Sequence, residues 1–259
     1  MEGFFIDIQG TLIDDKDFLP LPGSVEFLKY LNQNSIPFVL ITNNTKRKPS
    51  EFKNYLKNLG FEFEHYIDPL SVLGDYVKGK KTAPYGQDRF IEIISEMFEV
   101  DYKNPDAVLL GIRLYDPETQ SRIVDQLLNG AELIGMHKTS IYSNGLKRYP
   151  GLGAVLEMFK YAVGRDYVTV GKPSFEFFEK ARGYLGLNYD KITIISDDLI
   201  GDLLPAGKLG MKTVLVLSGK IKSQKEITRK PDFVFENLAN LLEYWRENGR
   251  ETEKTQRGN

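Results

Sequence analysis

Polar and charged residues follow apolar stretches at four places in the chain, and their types suit phosphate and metal chemistry. They are Asp7, the pair Thr42 and Asn43, Lys172, and Asp197 with Asp202. Each apolar stretch predicts a strand buried on both faces. Because parallel strands end at one edge of a sheet, where open α/β proteins bind ligands, we expect these side chains to converge.

Several of these residues also have ordinary structural explanations. The polar cluster at Thr42 and Asn43 is either a turn or a ligand loop. Asp7 precedes a Gly-Thr turn and could simply hold that turn. Lys172 could be a solvated surface charge. It lies, however, in a Gly-Lys-Pro turn before a helix that we predict to start near Ser174, and helix N-termini favour anions. The combination, more than any single residue, indicates a site.

The combined residues predict phosphoryl transfer. Carboxylates from two strand ends form a hard-oxygen site that suits Mg²⁺, which takes one or two carboxylates together with waters and a phosphate oxygen. A lysine and a hydroxyl/amide pair can hold phosphoryl oxygens, and a carboxylate beside the metal can attack phosphorus. Phosphoryl transfer depends mainly on positioning and charge neutralisation.

The elements that carry these residues alternate between strand and helix, which predicts an α/β fold with a parallel, Rossmann-like sheet. The stretch 4–12 predicts a buried strand that ends in a polar loop. Further predicted strands cover 37–42, 168–170, 192–195, 213–217 and 232–235. Five helices are predicted. The first starts with Ser24 as its N-cap, the second covers 50–59 and is closed by Gly60, and the third starts near Ser174. The fourth covers 203–209, and the fifth runs from Leu238 to about Glu247. The polar end from Gly249 to Asn259 predicts fraying.

A second α/β unit is predicted between these halves. It spans 66–167, so that 1–65 and 168–259 form a discontinuous core domain. Its candidate strands are 107–111, 131–135 and 140–143, and its candidate helices are 71–77, 88–98, 117–129 and 153–162. Residues 143–153 are the most loop-like part of this unit.

Composition limits the function classes. The 259-residue chain is 41% hydrophobic and 27% charged, which is typical of a globular protein with a core. A net charge of −2 gives no electrostatic case for nucleic acid or an anionic membrane. The chain lacks cysteine, and its two histidines, His65 and His137, are far apart, which disfavours zinc sites and a Ser-His-Asp triad.

The expected compartment is the cytoplasm. The first residues lack the basic and apolar regions of a signal peptide. Apolar runs stay well short of the roughly 20 residues that span a bilayer.

In order and spacing these residues resemble the four motifs of the haloacid dehalogenase (HAD) superfamily of hydrolases. The motifs correspond to residues 7–11, 42–44, 171–173 and 196–202. The sequences Ile-Thr-Asn-Asn-Thr and Gly-Lys-Pro-Ser, with the long insertion between the second and third motifs, are similar to the NagD and 4-nitrophenylphosphatase-like branch. The resemblance covers residues 2–245 and implies a HAD core with an inserted C2-type cap.

The resemblance implies roles for the acidic motifs. Asp7 would be the nucleophile that forms an aspartyl-phosphate. The backbone carbonyl of Gln9 and the carboxylates of Asp7 and Asp197 would bind Mg²⁺. Asp202, or alternatively Asp198, would fix the metal's water shell or the motif lysine.

It also implies how substrate is held. Thr42 and the backbone of Asn43 would bind phosphoryl oxygens, and Lys172 would neutralise charge between the nucleophile and the phosphate. The cap would select the leaving group of a small-molecule phosphate ester. A homo-oligomer formed through the cap is left open.

The sequence departs from the family pattern at Gln9, where the first motif normally has a second Asp. In the family that Asp is the general acid for the leaving group and then the base for water, and glutamine transfers no proton at useful pH. Three interpretations stay open: a slow phosphatase or one with an altered proton route, a catalytically impaired phosphate-ester binding or regulatory protein, and an introduced substitution.

Other classes fit less well. Dehalogenation needs no Mg²⁺, so Asp197 and Asp202 disfavour it, and phosphonate cleavage would require a Schiff-base lysine in the cap that we cannot identify. A dinucleotide-binding enzyme is disfavoured because no G-x-G-x-x-G opens the first helix.

Overall fold

The computed structural model describes residues 2–144 and 147–256. Its contacts separate into two units. The first unit comprises the residues up to Ile41, Asn54–Tyr66 and the residues from Ala181 onward, and the second comprises Thr42–Lys53 and Ile67–Lys180. The domain boundaries predicted from the sequence, 1–65 with 168–259 and the inserted 66–167, stay a prediction.

Strands and helices alternate through most of the described chain. The strands are β1 (Gly3–Asp7), β2 (Phe38–Ile41), β3 (His65–Ile67), β4 (Thr82–Tyr85), β5 (Ala107–Leu110), β6 (Glu132–Gly135), β7 (Ile141–Asn144), β8 (Lys147–Pro150), β9 (Tyr167–Thr169), β10 (Ile192–Ser196), β11 (Lys212–Val216) and β12 (Phe233–Phe235). The helices are α1 (Ser24–Gln33), α2 (Pro49–Asn58), α3 (Pro69–Tyr76), α4 (Asp88–Met97), α5 (Pro117–Leu128), α6 (Leu152–Val163), α7 (Phe175–Leu185), α8 (Leu204–Lys208) and α9 (Leu238–Gln256).

The larger sheet has six strands in the order β12-β11-β10-β1-β2-β3, and the pairs from β12 to β2 are parallel. β1 is central and fully buried, which explains its unbroken apolar sequence. Its register pairs Ile6 with Ile195 of β10 and Asp7 with Ile41 of β2. The carboxyl ends of β1 and β10 therefore lie side by side, and the predicted α/β fold with a parallel sheet is confirmed.

A second sheet lies in the segment between the second and third motifs. Its four strands pair in parallel in the order β4-β5-β6-β9. β4, which the sequence analysis did not predict, contains Pro84. Proline is tolerated there because β4 is an edge strand. The insertion is thus an α/β unit, consistent with a C2-type cap.

The structure corrects four local predictions. The strand predicted at 168–170 does not join the sheet of β1, because β9 pairs with β6, so Lys172 follows a strand of the second sheet. Ser24 is not the N-cap of α1: Gly23 takes that position with φ 77°, and the Ser24 hydroxyl donates to the Leu21 carbonyl at 2.7 Å. The predicted loop 143–153 is wrong over Lys147–Pro150, because β8 forms an antiparallel hairpin with β7, while residues 145–146 lie outside the described residues. The last helix continues past Glu247 to Gln256, and residues 257–259 of the predicted frayed end also lie outside.

Aromatic stacking gives the physical reason for the hairpin. The rings of Tyr142 and Tyr149 face each other across β7 and β8, with centroids 5.3 Å apart. Such a cross-strand pair stabilises a hairpin that turn-forming residue types alone do not reveal.

In the part of the chain that the structure describes, no helix combines the length and apolar character needed to cross a membrane.

Buried Asp68 should contribute measurably to the stability of the second unit. Its Oδ1 accepts hydrogen bonds from the Ser71 amide and the Ser71 hydroxyl, both at 2.7 Å, and so caps α3. Asp68→Ala should lower the free energy of unfolding by about 1–2 kcal/mol in urea titrations. Asp125→Ala, at an exposed position of α5, is the control and should stay within about 0.5 kcal/mol of the parent. Equal losses in both variants would contradict the capping role.

Candidate active site

Asp7 ends β1 and is followed by a tightly hydrogen-bonded turn. Its side chain is only 5% exposed. The amides of Thr11, Leu12 and Ile13 all donate to the Ile8 carbonyl, at 3.3, 2.8 and 3.0 Å. The half-buried Gln9 therefore lies in a fixed turn directly after the strand.

Gly10 lets this turn pass close to Asp197. Its φ of +79° is left-handed, which glycine adopts without strain. A Cβ at this position would overlap the Asp197 carboxylate. The turn therefore requires glycine both for its conformation and for space.

Thr11 joins the two motif carboxylates. Its buried hydroxyl donates to Asp7 Oδ2 at 3.4 Å and accepts a hydrogen bond from the Asp197 amide at 3.1 Å. Sequence reasoning gave Thr11 no role. Its position in the turn after a carboxylate-ending strand was the only signal that could have found it.

Asp197 directly follows β10 and is buried next to Asp7. Burial, followed by the negative charge of Asp7, raises the pKa of Asp197 to about 8. Its Oδ2 accepts a hydrogen bond from the Lys220 amide at 2.6 Å. Because the charge of Asp7 disfavours ionisation of Asp197, a proton or a cation would stabilise this buried pair.

The remaining acidic residues surround Ser196. The Ser196 hydroxyl donates to Asp202 Oδ2 at 2.8 Å and accepts from the Asp198 amide at 3.1 Å. Asp198 caps the π-helical turn Leu199–Leu203 through the Gly201 amide at 2.8 Å, and it forms an ion pair with Lys220. These contacts hold Asp198 and Asp202 in the first unit, and their role at a metal's water shell stays a prediction.

The second unit holds Thr42, Asn43 and Lys172. The buried Thr42 hydroxyl accepts a hydrogen bond from the Asn44 amide at 3.0 Å. The Asn43 side chain pairs with the backbone of Lys172, accepting from its amide at 2.8 Å and donating to its carbonyl at 3.1 Å. Lys172 is only 4% exposed. The structure thus gives Asn43 a positioning contact that the sequence did not predict.

The structure brings the predicted site residues together in two groups. Asp7, Gln9, Asp197, Asp198 and Asp202 lie in the first unit. Thr42, Asn43 and Lys172 lie in the second.

Oxygen atoms dominate the first group, so it could hold a hard cation. Within the described ranges, no cluster of three or more His, Cys, Asp or Glu side chains has the arrangement of a metal site. Mg²⁺ requires fewer carboxylates than that, since waters and phosphate complete its shell. Asp7 and Asp197 are the pair that could bind it.

Paired carboxylates at the carboxyl edge of a parallel α/β sheet are the arrangement expected from the first and fourth HAD motifs. A haloacid dehalogenase-like hydrolase family model matches residues 4–102, and a HAD-hydrolase-like model matches residues 169–241. The matched segments contain all the predicted site residues.

Relatives resemble the chain over almost its full length. It is 27% identical over 245 residues to the ribonucleotide monophosphatase NagD of Escherichia coli, and the alignment covers 91% of this chain and 96% of NagD. It is 27% identical over 261 residues to the phospholysine phosphohistidine inorganic pyrophosphate phosphatase of Homo sapiens, covering 94% and 93%. A p-nitrophenyl phosphatase structure from Archaeoglobus fulgidus has the same fold, with a TM-score of 0.81 at 24% identity, covering 94% and 98%.

The chain therefore belongs to the haloacid dehalogenase-like hydrolases, in the NagD-like branch. The predicted family and enzyme class are confirmed.

The raised pKa of Asp197 predicts a pH-dependent stability of the metal-free protein. The pKa of Asp197 is about 8 in the folded chain and about 3.9 in an unfolded one, so the folded chain binds the carboxyl proton of Asp197 more tightly. The resulting stabilisation is complete below about pH 4 and is lost as the pH rises through about 8. In EDTA, the stability of the parent relative to Asp197→Asn should fall by at least about 1 kcal/mol between about pH 5 and 8.5.

Urea unfolding at several pH values checks this, with Asp125→Asn as the exposed control. Parallel pH curves for the parent and Asp197→Asn would contradict the carboxylate coupling.

Proposed function

We propose that this chain is a Mg²⁺-dependent phosphatase that hydrolyses a small phosphorylated metabolite through a phosphoryl group carried on Asp7. The observation that supports this most directly is the buried pair of Asp7 and Asp197, joined through the Thr11 hydroxyl. A fixed carboxylate is a nucleophile that needs no base of its own.

The relatives support a small phosphorylated compound as the substrate class. The Escherichia coli relative is named for ribonucleotide monophosphates, and the human relative for phospholysine, phosphohistidine and inorganic pyrophosphate. These molecules share a phosphoryl group and differ in what carries it. We therefore assign the phosphoryl group, and no particular leaving group, as the part that this chain recognises.

The donor set in the first unit fits Mg²⁺. Asp7 and Asp197 supply carboxylate oxygens, and the family resemblance adds the backbone carbonyl of Gln9. Burial, and then the charge of Asp7, raises the pKa of Asp197, and a bound cation would stabilise the ionised form of this carboxyl. When bound, the ion would supply positive charge that stabilises the transferring phosphoryl group.

Thr42, Asn43 and Lys172 are proposed to hold the phosphoryl oxygens. A hydroxyl, a backbone amide and an ammonium group are all donors to phosphate, and the charged one is the strongest. The double hydrogen bond from the Asn43 side chain fixes the backbone of Lys172. Asn43 therefore positions the lysine in addition to offering its own amide.

The reaction moves one proton in each of two steps. A carboxylate oxygen of Asp7 forms a bond to phosphorus while the ester oxygen leaves with the bonding electron pair and takes up a proton. Water then attacks the phosphorus of the aspartyl-phosphate, loses a proton and releases inorganic phosphate with a free Asp7 carboxylate. A general acid serves the first step and a general base the second.

Gln9 occupies the position that would carry both protons, and its amide can carry neither. Loss of such help costs about 10²–10⁴ in rate. Esters with good leaving groups need no acid, so they should still phosphorylate Asp7. Hydrolysis of the aspartyl-phosphate should then be the slow step.

Gln9 also supports a second candidate, a phosphate-ester binding or regulatory protein on the same fold. In that case Mg²⁺ and phosphate esters bind, but Asp7 is not phosphorylated.

Rapid mixing with 4-nitrophenyl phosphate and Mg²⁺ tests the proposal. We expect a burst of about one nitrophenolate per chain followed by slow turnover, because departure of nitrophenolate needs little acid help while dephosphorylation lacks its base. A linear trace at ordinary phosphatase rates would contradict the role given to Gln9. Mg²⁺-dependent ester binding with no nitrophenolate release would favour the binding protein.

Two variants test the roles of Gln9 and Asp7 separately. Gln9→Asp should raise steady-state turnover by about 10² or more and abolish the burst, because it restores a proton carrier. Asp7→Asn should abolish both burst and turnover. An unchanged rate in Gln9→Asp would show that the deficiency lies elsewhere or that another group carries the proton.

A further inference from the structure

The segment Ser218–Lys220 contacts both parts of the first unit that carry the proposed metal ligands. It follows β11 after Leu217, whose amide donates to the Phe235 carbonyl at 3.0 Å. Neither the sequence motifs nor the proposed reaction uses this segment. Each of its three residues nevertheless lies against the motifs of the site.

Ser218 contacts the turn after β1. Its hydroxyl donates to the Gly10 carbonyl at 2.7 Å. Gly10 follows Gln9, whose backbone carbonyl is a proposed ligand. Because glycine has wide backbone freedom, a hydrogen bond to its peptide group restricts the orientation of this turn.

Lys220 contacts the second ligand. Its amide donates to Asp197 Oδ2 at 2.6 Å, and its ammonium group forms an ion pair with Asp198. The backbone contact orients the Asp197 carboxylate, and the ion pair ties the side chain of Lys220 to the following residue of the same motif.

Gly219 allows the segment to lie against the carboxylate. A Cβ at this position would overlap the side chain of Asp197. Glycine is therefore required here for space. Alanine at this position would displace either the segment or the carboxylate.

We propose that Ser218–Lys220 is a positioning segment that sets the Gln9 carbonyl and the Asp197 carboxylate for the cation. The inference rests on the proposed function. Groups that orient metal ligands typically contribute tenfold to a hundredfold in metal affinity. In this role the segment acts through the ligands that it contacts.

Calorimetric titration of the full chain with Mg²⁺ tests the proposal. Ser218→Ala should weaken Mg²⁺ binding by about tenfold, and Gly219→Ala by more. Ser218→Thr keeps the hydroxyl and should bind Mg²⁺ within about threefold of the parent. Nitrophenolate release by Ser218→Ala should recover at saturating Mg²⁺, because the defect lies in cation binding.

Two matched controls make the comparison specific. Ser223→Ala removes a similarly half-buried hydroxyl that donates to Glu226 Oε1 at 3.0 Å. Gly183→Ala adds a methyl group at a position with no neighbouring atom within 4 Å. Both should bind Mg²⁺ like the parent, and unfolding midpoints in EDTA check that every variant is folded.

The outcomes separate the two proposals. If the parent binds Mg²⁺ and Ser218→Ala binds it equally well, the positioning role is overturned while the proposed function stands. If Ser218→Ala is unfolded in EDTA, the Mg²⁺ affinities of Ser218→Thr and Gly219→Ala test the positioning role instead. Weaker binding by Gly219→Ala supports the role, and equal affinities overturn it. If the parent itself binds no Mg²⁺, the metal of the proposed function fails, and this inference fails with it.

Discussion

Two buried carboxylates on neighbouring strands are the constraint on which the rest of the site depends. Asp7 and Asp197 are fixed side by side because β1 and β10 pair in parallel and end at the same level of the sheet. Burial, followed by the negative charge of Asp7, raises the pKa of Asp197, so ionising both carboxylates is costly. The surrounding hydrogen bonds with Thr11 and Lys220 hold both groups in this unfavourable arrangement. An arrangement that costs stability without a cation is suited to binding one.

Much of the fold and the acidic site could be predicted from sequence. Fully buried parallel strands have continuous apolar sequences, and a carboxylate at the end of such a run is conspicuous. This identified Asp7 and Asp197, and the alternation of elements identified the α/β class. Elements with weaker patterns were missed: β4 was hidden by Pro84, and β8 was hidden by the turn-forming residues around it.

The residues that orient the site could not be predicted for a different reason. Thr11 and the Asp197 amide are 186 positions apart in sequence, and Ser218 and Gly10 are 208 apart. Serine, threonine and glycine are also common in turns, so their types give no signal alone. Only the folded chain shows that these ordinary turn residues contact the two motifs that carry the carboxylates. The same holds for Asn43, whose side chain reaches the backbone of Lys172 across 129 positions.

The central claim is that Asp7 carries the phosphoryl group and that Gln9 slows its release. Acid quenching of the chain with 4-nitrophenyl phosphate and Mg²⁺, followed by proteolysis and mass spectrometry, tests this most directly. We predict one phosphoryl group on the peptide that contains Asp7, with a higher occupancy in the parent than in Gln9→Asp. Turnover of the ester with no phosphoryl group on Asp7 would contradict the claim.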